Sequence, residues 1–142
     1  MPFISITRLR VRSWRFLPAF LFAAVRSGKQ ARNADGNLAV KILRDKHNAF
    51  WTSTCWDSEA SMKAFTRANP HAPATRKLLE WCDEASLVHW TQETTELPTW
   101  TEAHRRMLRE GRPSKVNHPS EAQKAQRIDP PQASAKREMR LK

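Results

Sequence analysis

The chain has 142 residues, 39% of them hydrophobic, with six Trp, six Phe and a formal net charge of +11. That is material for one domain with a real core, and it leaves little room for two. Gly28, Gly36 and Gly111 are the only glycines, which excludes a phosphate-cradling or dinucleotide-binding loop, and two distant cysteines exclude a disulfide framework.

The first predicted element is a strand. From Phe3 to Arg12 the residues alternate, with Phe3, Ser5, Thr7, Leu9 and Val11 on one face and Ile4, Ile6, Arg8, Arg10 and Arg12 on the other. Leu17, Phe20, Leu21, Ala24 and Val25 then recur at helical spacing, and Pro18 suits a first turn, where its missing N–H has no partner anyway. A basic stretch before this apolar run also has the outline of a secretory signal, but the strand-like alternation and the lack of a small-x-small site before Arg26 argue against it. The run is too short to span a bilayer. Turn residues from Asn33 to Asn37 end the segment.

Leu38 to Arg44 reads as a second strand, and the polar turn Asp45-Lys46-His47-Asn48 returns it as a hairpin into Ala49 to Trp56. On that third strand Phe50, Thr52, Thr54 and Trp56 share one face, and Trp51, Ser53 and Cys55 the other. Asp57-Ser58-Glu59 starts a helix carrying Met62 and Phe65, because a capping side chain precedes a carboxylate that faces the helix dipole. Asn69-Pro70 interrupts it, and a second piece runs to about Cys82. Ala85 to Gln92 is the fourth strand, on which His89 reads as structural or as a dimer-edge residue. A last helix covers Thr101 to Glu110.

The order is β-α-β-β-α-β plus a terminal helix. This predicts an α+β, ferredoxin-like antiparallel sheet with its helices on one face. The other face, rich in aromatic residues, would then lie open, and a homodimer closed by sheet-to-sheet packing would cover it. Residues 1–111 form this domain. Residues 112–142 have few apolar side chains and read as a basic disordered tail.

Charge is unevenly placed. Residues 1–34 contain Arg8, Arg10, Arg12, Arg15, Arg26, Lys29 and Arg32 and no acidic residue, and the tail is basic too. Nucleic acid, anionic lipid or an anionic ligand would suit such surfaces, as would plain solvation. Arg8, Arg10 and Arg12 share a strand face that could hold ligand carboxylates, or could simply decorate an edge strand. The histidines show no zinc-ligand spacing. Cys55 and Cys82 lie in apolar stretches as small core residues, which fits a reducing, cytoplasmic setting.

Three segments together resemble the dimeric α+β barrel superfamily. They are Thr7-Arg8-Leu9-Arg10-Val11-Arg12, Asn37-Leu38, and the run from Phe50-Trp51-Thr52 through Cys55-Trp56-Asp57-Ser58-Glu59 to Phe65, followed by His71 and Leu79-Glu80-Trp81-Cys82. Its members include antibiotic-biosynthesis monooxygenases, haem-degrading monooxygenases and spheroidene monooxygenase-like proteins. The resemblance covers roughly residues 3–92. It implies a homodimer and a pocket for a hydrophobic or haem-type ligand walled by Trp56 and Phe65, with Thr7 and Phe50 beside them, Arg8 for carboxylates and His71 as the catalytic residue at the rim. Thr7 stands where the haem-degrading enzymes carry an Asn. Haem and cofactor-independent chemistry are both compatible with the superfamily, whose cofactor-free members act on substrates that supply their own electrons. The rival readings are a non-catalytic binding dimer of the same fold and a basic protein that contacts nucleic acid through its tail.

Overall fold

The computed structural model describes residues 1–68, 71–132 and 137–142, with residues 71–75 described by their backbone alone. Strand β1 (Phe3–Val11), helix α1 (Leu17–Asn33), strands β2 (Asn37–Arg44) and β3 (Ala49–Trp56), helices α2 (Glu59–Arg67) and α3 (His71–Trp81) and strand β4 (Cys82–Thr91) follow the order read from the sequence. After them come α4 (Trp100–Glu110), β5 (Arg112–Pro113), α5 (Glu121–Lys124) and β6 (Glu138–Arg140). The sheet is antiparallel with strand order β5-β4-β1-β3-β2-β6, so the four central strands keep the ferredoxin-like arrangement.

Local chemistry explains where elements start and stop. The Ser58 hydroxyl accepts the Ser61 N–H at 3.2 Å and starts α2. Asp45 accepts the Lys46 N–H at 2.8 Å and the Trp51 indole N–H at 3.1 Å, which ties the hairpin turn to the core. Within that turn His47 and Asn48 adopt left-handed φ values of 58° and 63°. Gly36 is required where it stands: its φ is +84°, and a Cβ there would collide with Asp57 and Ser61.

Alternation sends Ile4, Ile6, Leu43, Trp51, Cys55 and Val88 to one side of the sheet, where they form a cluster with Trp100, Ala103 and Met107 of α4. Ile4, Ile6, Leu43 and Trp51 are each 0% exposed in the single chain. This corrects the expectation of an open aromatic face. The terminal helix lies on it, so that face is covered within the single chain.

The described residues of 112–142, which are 112–132 and 137–142, also depart from a free tail. Strand β5 pairs with β4 at one edge, and β6 pairs with β2 at the other. Between them Gln123 accepts the Ala85 N–H at 3.1 Å and donates to the Ala85 carbonyl at 3.0 Å, imitating a strand neighbour. Glu138 accepts the Trp100 indole N–H at 2.7 Å, and Val116 is buried. Composition predicts disorder because apolar groups are scarce. The order seen here comes from backbone and amide pairing with unsatisfied sheet edges.

Candidate functional site

On the other side of the sheet the packing is incomplete. A cavity of about 450 Å³ lies between the strands and the helices α1, α2 and α3. Its floor comes from in-phase residues of four strands, with Val40 and Ile42 of β2 beside Thr54 and Thr52. Register sets Ser5 between Thr54 and His89, and Thr7 between Thr52 and Leu87. Small hydroxyl side chains therefore occupy positions that aliphatic side chains fill on the opposite face, and a gap results because they do not reach the helices.

Aromatic side chains form the walls. Trp56 stacks on Phe65 of α2 with ring centroids 5.2 Å apart, and its indole N–H donates to the Thr54 hydroxyl at 2.8 Å. That bond satisfies the buried polar edge of Trp56 and leaves its π-faces apolar. Phe50 meets Phe20 of α1 at 4.8 Å. Gly28, also on α1, faces the cavity from above.

His89 is the titratable group on the floor, and Phe3 lies against its ring at 5.3 Å. Burial pulls its pKa below the usual 6.5, and the positive charge of Arg112 adds to the shift. The ring is therefore neutral at neutral pH and able to accept a proton. This place on the cavity floor differs from the structural or dimer-edge role that the sequence suggests. The signal that could have found it is its phase with Leu87 and Ala85 on β4.

Solved structures share this architecture. A protein from Nitrosomonas europaea described as a candidate antibiotic biosynthesis monooxygenase superposes with a TM-score of 0.58 at 16% identity, over 64% of this chain and 89% of its own. A point mutant of SnoaB from Streptomyces nogalater, described as a cofactor-independent oxygenase, gives 0.53 at 17%, over 66% and 95%. A conserved protein from Methanosarcina mazei gives 0.59 at 11%, over 66% and 94%. The fold is that of the antibiotic biosynthesis monooxygenases. No protein-family model and no curated protein matches the sequence.

Within this fold the expected site residues divide. Thr7, Phe50, Trp56 and Phe65 all line the one cavity. His71 opens α3, and its side chain lies outside the described residues. Arg8 does not reach the cavity, which corrects its assignment to the ligand. It points through the packed face, where its Nη1 donates to Glu84 Oε1 at 2.7 Å, and Arg10 Nη1 donates to Glu84 Oε2 at 2.7 Å. Burial would raise the Glu84 pKa, but hydrogen bonds from Arg8, Arg10 and Ser120 outweigh it and hold the carboxyl below its usual range. Arg12 pairs with Glu80 at the surface. The strand arginines thus satisfy the protein's own carboxylates, and the haem reading loses the groups expected to hold its carboxylates. Among the cavity-lining cations, Lys63 is paired with Glu59 at 3.2 Å. No group of three or more His, Cys, Asp or Glu that could hold a metal occurs among the described residues.

Proposed function

We propose that the chain is a monooxygenase-like protein that takes a flat, hydrophobic hydroxyaromatic molecule into this cavity and oxidises it with the molecule's own electrons. The observation that carries the reading is a neutral histidine at the floor of an aromatic-walled cavity. The likeness to SnoaB, a cofactor-independent oxygenase, supports it. In this scheme Trp56 and Phe65 hold the ring system, Thr7 and its neighbour Thr52 orient a ligand oxygen, and Phe50 closes the side toward α1. His89 accepts a proton from the bound molecule, whose anion reduces dioxygen. For an activated methylene the balance is R–CH2–R′ + O2 → R–CO–R′ + H2O: the methylene supplies four electrons, and one oxygen atom enters each product. Water exclusion by the apolar walls strengthens the proton transfer. His71 is a second proton-carrier candidate at the rim.

The reading is tested with a tricyclic hydroxyarene bearing a benzylic methylene, under labelled dioxygen. Label should enter the ketone, His89→Ala should slow turnover about 100-fold, and Trp56→Ala should mainly weaken binding. His71→Ala, run alongside, measures the share of the second histidine. Tight binding with no label incorporated, in the wild type and variants alike, would leave a binding protein of the same fold and sink the oxidative reading.

A further inference from the structure

The helix that roofs the cavity carries a second surface on its other side. Phe20, Ala24, Gly28 and Ala31 turn inward, while Pro18, Phe22, Val25 and Lys29 turn outward at the complementary helical positions. Trp14, in the 3₁₀ turn that leads into α1, is 76% exposed, and Phe22 is 65% exposed. Leu21 and Val25 are exposed beside them. Single exposed apolar side chains need no explanation, but Trp14 and then Leu21, Phe22 and Val25 on two successive turns of α1 concentrate four of them on one short segment.

The exposed charges carried by α1 and the turn that leads into it are of one sign. Arg15, Arg26, Lys29 and Arg32 are all exposed, and among the described residues no carboxylate pairs with any of them. The Arg26 guanidinium sits 5.6 Å from the Phe22 ring centroid, so cation and apolar group are presented together. No acidic residue occurs before Asp35. A second copy of the chain is a poor occupant, since an isologous contact through α1 would set these four cations against their own equivalents. A nucleic-acid duplex would match the charge but keeps its bases stacked away from Trp14 and Phe22, and the aliphatic Leu21 and Val25 offer no face on which a base could stack. A surface that is negative outside and apolar just beneath matches both features.

We propose that the outer face of α1 docks the protein on an anionic lipid bilayer, with Trp14, Phe22 and Val25 entering the interface and Arg15, Arg26, Lys29 and Arg32 facing the headgroups. This is attachment in the plane of the surface, because no helix among the described residues is long and apolar enough to cross a membrane. The docking is independent of the oxidative reading and can fail without it.

The experiment is sedimentation of the full chain with vesicles of phosphatidylcholine alone and of phosphatidylcholine mixed with phosphatidylserine, with circular dichroism confirming the fold of each variant. The wild type should bind the mixed vesicles only and weaken as salt rises. Phe22→Ser should reduce partitioning about tenfold with no change in charge. The pair Arg26→Glu and Lys29→Glu should reduce it at least as much. The pair Arg109→Glu and Lys124→Glu, which changes net charge equally on exposed sites elsewhere, should stay within about twofold of the wild type. Equal losses in both charge pairs would mean general attraction and overturn the proposal. So would absence of binding to either vesicle, concentration-dependent self-association abolished by Phe22→Ser, or retention on duplex DNA that exceeds vesicle binding and ignores Phe22→Ser.

Discussion

The two faces of the central sheet are built from alternate residues of the same strands, yet one is filled and the other hollow. The filled face carries Ile4, Ile6, Leu43 and Trp51 and is closed by one helix, α4. The hollow face has three helices over it and still encloses about 450 Å³. Side-chain volume, more than the amount of cover, decides the difference: Ser5, Thr7, Thr52 and Thr54 stop short of the helices, whereas Trp51 and the isoleucines reach α4. A cavity is therefore specified by the parity of a few hydroxyl residues.

Removing bulk from the filled face should cost most. Trp51→Ala should destabilise the protein by about 4 kcal/mol, read from denaturant unfolding, because a 0%-exposed indole leaves a void that its neighbours cannot fill. A loss well under 1 kcal/mol would mean that this face is not close-packed. Next comes the ion pair on the same side. Arg8→Met alone should cost about 3 kcal/mol, because the Glu84 carboxylate loses its buried partner and keeps only Arg10 and Ser120, and adding Glu84→Leu should recover much of that loss. If the double variant is no better than the single one, the pair does more than neutralise itself.

The comparison is sharpest at two adjacent residues of β3. Ser53, fully buried on the filled side, should tolerate Leu badly, at a cost of about 1–3 kcal/mol. Thr52→Leu, one residue away but over the cavity, should change stability by less than about 1 kcal/mol while weakening ligand binding. Equal costs at both sites would remove the distinction between the faces. The smallest effect concerns pH. Because the folded His89 pKa lies below 6.5, the unfolded chain takes up the proton first as pH falls through that value. Stability is then full above pH 6.5 and declines below it until the folded ring protonates as well. His89→Gln should flatten that part of the stability–pH curve.

Much of this was legible in the sequence because period-two alternation states which residues share a face. Thr7, Phe50, Trp56 and Phe65 come together in space, and the Asp45–Asn48 hairpin and the Ser58 cap stand where local chemistry put them. The same alternation already held the correction for Arg8, which falls in phase with Ile4 and Ile6 and so on the opposite face from Thr7. Two features were not legible. The spacing of Trp100, Ala103 and Met107 announces a helix but says nothing about which side of a distant sheet it covers. The pairing of Gln123 with Ala85 and of Glu138 with Trp100 depends on hydrogen-bond geometry across dozens of residues, to which apolar content is blind.

The two cysteines fall on either side of this division. Cys55 belongs to the filled cluster, and Cys82 clusters with Phe20 and Phe50 near the hollow one. Both are completely buried, and burial, with the charge of Asp83, pushes the Cys82 thiol up to about 12. Neither sulfur can meet an alkylating reagent until its own layer loosens. Mass-resolved trapping of each thiol over time would therefore clock the breathing of the two layers separately, with no label introduced and no residue changed.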